Sequence, residues 1–161
     1  MDNTELLKRG LDFYNIEPNN EIIERFSIYT RMLIEWNQKI NLTAITDEEE
    51  IIIKHYFDSI SCINTGIISD TQNESIVDVG TGAGFPGIPI KIVKPNIRLT
   101  LIDSLKKRTI FLEELTHEMG IDCEIIHGRA EDLGKNKDYR EKYDIAVSRA
   151  VAGMAVLSEY I

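Results

Sequence analysis

The stretch that decides the fold is Ile76-Val77-Asp78-Val79-Gly80-Thr81-Gly82-Ala83-Gly84-Phe85-Pro86-Gly87-Ile88. Its first four residues read as a short buried strand running straight into a loop. Glycine fills positions 80, 82, 84 and 87 of that loop. Glycines permit turns that other residues resist and let a ligand approach the main chain closely. Residues 88–93 follow as a short helix, stopped by Pro95. A helix N-terminus opening from such a loop favours negative charge.

Working outward, the same grammar repeats downstream. Arg98 to Asp103 is a second predicted strand. Ser104 is the expected cap of a helix carrying Leu105, Leu112, Leu115 and Met119 and closed by Gly120. Cys123 to His127 and Tyr143 to Ser148 are a third and fourth strand, and the chain from Val151 reads as helical. Strands alternating with helices imply parallel βαβ units in an open α/β sheet. Ligands of such sheets bind beyond the carboxyl ends of the strands, where strand order reverses. The glycine loop, Asp103, the segment after His127 and Arg149 all follow strand ends and are expected in one crevice.

Upstream the pattern is helical. Ile22, Phe26, Tyr29, Leu33, Trp36 and Ile40 fall at alternating steps of four and three, one stripe on a helix that Asn19 or Asn20 caps. A shorter helix runs from Thr4 to Tyr14, with Pro18 between the two. Asn41 to Ile45 is a loop or short extended piece, and Thr46 with Glu49 forms a capping box for a third helix reaching about Ile63. The division is therefore a helical extension over 1–70 and a sheet core over 71–161, packed as one unit.

Bulk properties bound the function. A chain of 161 residues can bury a real core. No apolar run approaches the roughly 20 residues that span a bilayer, and the polar, acidic start Met1 to Glu5 is unlike a secretory signal. Cys62 and Cys123 lie far apart and outside metal-ligand spacing, as do His117 and His127, so no metal is expected. The thiols read as two buried cysteines in a reducing cytoplasm, with one disulfide as the alternative. The net charge of −9 argues against binding nucleic acid through the overall field, so any such contact needs a local basic patch.

Two cofactors compete for the loop. A dinucleotide wants G-x-G-x-x-G with its pyrophosphate on the helix N-terminus. Counted from Gly80, the third glycine of that pattern is replaced by Phe85. The spacing Gly80-x-Gly82-x-Gly84, with an acid two residues ahead, favours S-adenosyl-L-methionine and leaves the dinucleotide open. Asp103 ends the second strand 23 residues beyond Gly80. An acid near that spacing accepts hydrogen bonds from ribose hydroxyls; its alternative role is helix capping beside Ser104.

Several separate runs, in order, carry a resemblance. They are Asn41-Leu42-Thr43-Ala44, His55-Tyr56-Phe57-Asp58-Ser59, the glycine loop through Pro89, Asp103-Ser104-Leu105-Lys106-Lys107-Arg108, Gly128-Arg129-Ala130-Glu131 and Ser148-Arg149-Ala150-Val151-Ala152. Over nearly its whole length the chain resembles the glucose-inhibited division protein B (RsmG) family of bacterial methyltransferases. The resemblance implies methyl transfer from S-adenosyl-L-methionine to N7 of one guanine in 16S ribosomal RNA, as free RNA or in the small subunit. It implies cofactor contacts at Gly80, Phe85, Ala130, Glu131 and Arg149. It also implies a Rossmann-like class I sheet of seven strands. Four are legible here, so C-terminal strands are expected to be missing and the fourth strand to have an open edge.

No catalytic residue is assigned. Exocyclic-amine methylation often uses an Asp/Asn-Pro-Pro-aromatic motif after the fourth strand, where this chain has Ser148-Arg149-Ala150-Val151. Guanine N7 already carries an in-plane lone pair, so alignment suffices. His55 is a candidate substrate contact, with packing as the blander role. Lys106, Lys107 and Arg108 open a helix near the crevice and are candidate phosphate contacts, although charge runs are usually solvated faces. Lys135, Lys137, Arg140 and Lys142 form a second basic stretch with acids interspersed. Arg149 suits the cofactor carboxylate, RNA or a salt bridge. The competing functions are a small-molecule methyltransferase, a nicotinamide-dependent oxidoreductase, and a cofactor-binding module without catalysis.

Overall fold

The computed structural model describes residues 2–69 and 73–149. The helix expected from Val151 lies outside them, as does the end of the Ser148–Ala152 motif. Strands β1 (Ser75–Val79), β2 (Arg98–Asp103), β3 (Glu124–His127) and β4 (Ile145–Val147) form one sheet in the order β3-β2-β1-β4. Every pairing is parallel. The chain leaves β1 to one side for β2 and β3, then returns to the other side for β4. Strand order therefore reverses at the end of β1, where the glycine loop sits. All five β1 residues are buried, as an apolar run in the middle of a parallel sheet must be.

Three helices precede the sheet. Helix α1 spans Asn3–Phe13 and α2 spans Asn20–Asn37. The Asn19 side chain caps α2 by accepting from the Ile22 amide at 2.9 Å. The α2 stripe is buried at Ile22, Phe26, Tyr29 and Leu33, with Met32 beside it. Burying a side chain such as Phe26 or Leu33 is worth about 1.5–3 kcal/mol. Trp36 packs on Phe111 at 5.6 Å, with the Lys39 ammonium 5.7 Å from its ring.

The third helix differs from expectation in two ways. Its cap is Asp47, whose carboxylate accepts from the Glu50 amide at 3.0 Å, not Thr46 with Glu49. Both pairs fit the capping spacing, and a carboxylate is a stronger acceptor than a hydroxyl. The helix is also interrupted. Helix α3 (Glu48–Ile51) passes into a π-helical turn (Ile52–Phe57), then α4 (Asp58–Ser61) and a 3₁₀ turn (Cys62–Thr65). The wider turn brings Ile52, His55 and Tyr56 all to buried positions.

Beyond the loop, α5 (Gly87–Val93) packs on β1 and β2 and against α2 and α4. Helix α6 (Lys106–Met119) ends on Gly120 in the left-handed conformation, with the Ile121 amide returning to the Thr116 carbonyl at 2.9 Å. Ser104 does not cap it; Leu105 precedes the helix and its amide is taken by Asp103 at 2.9 Å. A one-turn helix α7 (Ala130–Leu133) follows β3. One apolar core joins α1, α2, the π turn, α5, α6 and one face of the sheet. Val77, Val79 and Ile102 point to the other face with Leu133 and Tyr143. Among the described residues, no helix is long and apolar enough to cross a membrane. Cys62 and Cys123 are both free, and both are only partly buried rather than fully enclosed as expected.

Candidate cofactor site

The loop after β1 is held in shape from three sides. Asp78 is fully buried, and its Oδ2 accepts from the Thr81 hydroxyl at 2.7 Å and the Gly87 amide at 2.8 Å. Its Oδ1 is sealed from solvent without a protein partner. Burial pushes the carboxyl up to about 7, against the opposing pull of the Thr81 and Gly87 hydrogen bonds. From α2, the Tyr29 hydroxyl donates to the Ala83 carbonyl at 2.6 Å. From β2, Asp103 accepts from the Gly82 amide at 2.9 Å.

The glycines have different reasons to be glycine. A Cβ on Gly84 would lie 2.7 Å from the Tyr29 hydroxyl and 2.6 Å from Ile88 Cδ1. A Cβ on Gly87 would lie 2.8 Å from both Asp78 Oδ2 and Leu101 Cδ2, so this glycine lets α5 sit against β1 and β2. A Cβ on Gly82, at φ +61°, would meet nothing within 4 Å among the described residues. The open space beside Gly82 is what a ligand-binding loop requires. Counted from Gly82 rather than Gly80, the loop does satisfy G-x-G-x-x-G at 82, 84 and 87. Glycine spacing therefore separates the two cofactors less sharply than the count from Gly80 suggested.

Asp103 is 3% exposed. One carboxylate oxygen takes the Gly82 amide and the other the Leu105 amide. Asp103 thus ties the loop to the start of α6 by holding one backbone amide on each side, although no side chain caps the helix itself. Arg108 turns back toward it, with Nη1 3.5 Å from Oδ2, while its Nε is buried without a hydrogen-bond partner. Lys106 and Lys107 are exposed. The three-residue basic run is thereby split: two cations face solvent and the third faces the strand ends.

Gly80, Asp103, Ala130 and Glu131 line one crevice of about 150 Å³, with Val79, Ile102, Ser104, Gly128 and Arg129. It lies past the ends of β1, β2 and β3. A larger cavity of about 840 Å³ shares Val79, Ile102, Ala130 and Glu131 with it and extends along the Val77 face of the sheet to Arg140 and Tyr143. The residues present fit a nucleoside cofactor: an open glycine turn, a carboxylate at the end of β2, and the start of α7 as a third wall.

Phe85 and Arg149 belong to a second group beside the loop. Phe85 is buried, with the rings of His55 and Tyr29 nearly parallel to it at 4.5 and 5.2 Å. The Arg149 guanidinium lies 5.0 Å from the same ring. Arg149 also contacts His55 Nδ1 at 3.0 Å and Asp58 Oδ2 at 3.0 Å. Burial, and next the Arg149 charge, lower the His55 imidazole to about 4, so it is neutral. Its Nε2 lies 2.8 Å from Thr43 Oγ1. Sequence reasoning passed over Thr43 and Asp58 individually, although both lie in the motifs that carried the resemblance. Among the described residues no group of three or more His, Cys, Asp or Glu is placed to hold a metal, and His127 instead contacts the Ser104 carbonyl at 3.1 Å.

Known proteins share this architecture. A protein-L-isoaspartate O-methyltransferase-type structure from Plasmodium falciparum, solved with S-adenosyl-L-homocysteine, superposes with a TM-score of 0.57 at 14% identity, covering 99% of this chain and 80% of that one. A structure of MtNAS with MTA and tNA gives 0.55 at 15% identity, covering 98% of this chain and 61% of that one. At such identities the likeness is one of fold. Sequence relatives are much nearer. Ribosomal RNA small subunit methyltransferase G of Alkaliphilus oremlandii is 52% identical over 161 residues, 99% of this chain and 66% of that protein. Its namesake in Listeria welshimeri is 49% identical over 158 residues, again covering 66% of the relative. The chain thus spans just under two thirds of the length of these curated relatives. The rRNA small subunit methyltransferase G family model matches residues 22–161, and the chain belongs to that family.

Proposed function

We propose that this chain is the cofactor-binding part of an S-adenosyl-L-methionine-dependent methyltransferase acting on N7 of a guanine in 16S ribosomal RNA. The observation that carries the reading is the glycine loop pinned to Asp103, opening onto the Ala130–Glu131 crevice, in a chain of this family. When bound, the donor supplies an electrophilic methyl on a sulfonium. Asp103 and Glu131 are the groups suited to accept ribose hydroxyls, the Gly80–Gly84 turn to lie against the donor, and Arg149 to pair with its carboxylate. Phe85 acts through the ring cluster that fixes the loop. Guanine N7 attacks with its own in-plane lone pair, so no side chain must first remove a proton. The contribution of these residues is alignment of the donor and the purine.

The RNA is proposed to approach through exposed Lys106 and Lys107, with 16S RNA or the small subunit as the partner. A net charge of −9 makes such a local patch necessary. The test is calorimetric titration with S-adenosylhomocysteine and with NAD, then methyl transfer to undermethylated small subunits. Binding of S-adenosylhomocysteine with methylation at guanine N7 supports the reading. Tight NAD binding without a response to S-adenosylhomocysteine overturns it and restores the dinucleotide register of Gly82, Gly84 and Gly87.

A further inference from the structure

Three parts of the chain meet at the Arg149 guanidinium, just beyond β4. Its Nη1 donates to Asp58 Oδ2 at 3.0 Å and to the Lys54 carbonyl at 3.4 Å. Its Nη2 lies 3.0 Å from His55 Nδ1. Arginine offers donors and no acceptor, so Nη2 donates and His55 Nδ1 is a bare lone pair. The imidazole proton is then on Nε2, where it donates to Thr43 Oγ1 at 2.8 Å. The Thr43 oxygen also accepts from the Ile45 amide at 3.1 Å, which fixes the hydroxyl. The ring itself stacks on Phe85 at 4.5 Å with an interplanar angle of 18°. Tautomer, ring plane and lone-pair direction of His55 are all set by neighbours.

We infer that His55 is a positioning residue: its Nδ1 lone pair aims the Arg149 guanidinium across Phe85 at the glycine loop, where Arg149 holds the carboxylate of the methyl donor. The identity of the donor rests on the function proposed above. Among the described residues, Asp58, Lys54 and His55 take three of the five N–H groups of Arg149, which leaves two. A neutral acceptor orients the guanidinium without cancelling its charge. Among the described residues the one carboxylate in contact, on Asp58, is 57% exposed and well screened. The arginine therefore keeps positive charge for an anion, and the methyl donor carries one anionic group.

The experiment compares S-adenosylhomocysteine with 5′-methylthioadenosine, which keeps the adenosine and lacks the amino-acid part. His55→Phe preserves a ring against Phe85 and removes both nitrogens. His55→Asn returns an amide oxygen near the place of Nδ1. His55→Phe is expected to weaken S-adenosylhomocysteine about tenfold or more and leave methylthioadenosine unchanged, and His55→Asn to recover most of the loss. Arg149→Ala should show the same loss, and adding His55→Phe to it should cost nothing further. Equal losses for both ligands, or losses that add in the double variant, would reduce His55 to packing. Nitrogen-15 shifts of the imidazole test the geometry without any cofactor. An Nε2–H tautomer that is disturbed by Arg149→Ala supports the inference, and an Nδ1–H tautomer overturns it. A chain that fails to bind S-adenosylhomocysteine while showing the Nε2–H tautomer would sink the donor assignment, and with it the role given to Arg149.

Discussion

Asp103 at the end of β2 and Gly82 in the loop after β1 are joined by a 2.9 Å hydrogen bond in which the loop amide donates to the carboxylate. The other carboxylate oxygen holds the Leu105 amide. Removing the carboxylate therefore orphans two backbone donors as well as any ribose hydroxyl. Asp103→Ala is expected to lower stability by about 1–3 kcal/mol, the cost of leaving buried groups unsatisfied. It should also weaken S-adenosylhomocysteine. Asp103→Asn, which keeps an acceptor oxygen, should restore part of the stability. Urea unfolding and calorimetry on the two variants check this; an Asp103→Ala protein of unchanged affinity would confine the residue to a structural role.

Gly82 and Gly87 separate binding from folding. An alanine at Gly82 meets no atom among the described residues and adds left-handed strain of about 1–2 kcal/mol. Its methyl enters the space assigned to the cofactor. S-adenosylhomocysteine at a hundred times its dissociation constant stabilises a protein by about 2.7 kcal/mol, and Gly82→Ala should lose that shift. Gly87→Ala instead forces a Cβ onto Asp78 and Leu101, costing about 1–3 kcal/mol with or without ligand. Thermal melting with and without S-adenosylhomocysteine distinguishes them. A ligand-induced shift retained by Gly82→Ala would place the cofactor elsewhere.

Asp78 and His55 are coupled oppositely to pH. The Asp78 carboxyl is raised from 3.8 to about 7, so the folded chain holds a proton the unfolded chain releases, and stability falls as pH rises through that window. The His55 imidazole is lowered from 6.5 to about 4, so the unfolded chain gains a proton the folded chain refuses. Stability from His55 is present above its unfolded value and is lost as pH falls from 6.5 toward 4. The slopes oppose each other, each by at most roughly 1.4 kcal/mol per pH unit. Asp78→Asn should tilt the profile between pH 4.5 and 6.5 upward relative to the parent chain, and His55→Phe downward. Parallel profiles for all three proteins would refute both assignments.

Lys106 and Lys107 should behave unlike Arg108. If the two lysines meet phosphates, replacing each by Ala should flatten the salt dependence of RNA binding by about 0.7–0.9 in log–log slope. Arg108→Ala should leave that slope unchanged and loosen Asp103, lowering the melting temperature. Titration of a 16S RNA fragment at several salt concentrations reads the slopes. Equal slopes for the lysine variants and the parent chain would make the pair a solvated face.

The sheet was legible because buried parallel strands are short apolar runs, as at Ile76-Val77 and Leu99-Thr100-Leu101. The α2 stripe was legible because its steps are helical. What escaped detection depends on contacts across the fold. Thr46 and Asp47 both open a capping pattern, so the spacing alone does not choose between them. The π turn leaves no periodic trace beyond the adjacent buried pair His55 and Tyr56. Gly87 is needed for Asp78 and Leu101, which local sequence cannot reveal. Arg108 reads as one more cation until its guanidinium is seen turned to Asp103. His55 and Arg149 are 94 residues apart, and no spacing rule links them.

Trp36 is the only tryptophan of the chain, and it lies against Phe111 of α6, with Lys39 over its ring. The protein therefore carries a built-in optical reporter with a single address. Its emission follows the docking of α2 onto α6, and so the assembly of the helical segment on the sheet. Among the described residues, the emitting rings at the glycine loop are Tyr29 and Phe85, far weaker than an indole. A change in tryptophan fluorescence during unfolding thus reports the joining of the two halves of the chain, while occupancy of the loop has to be read by another signal.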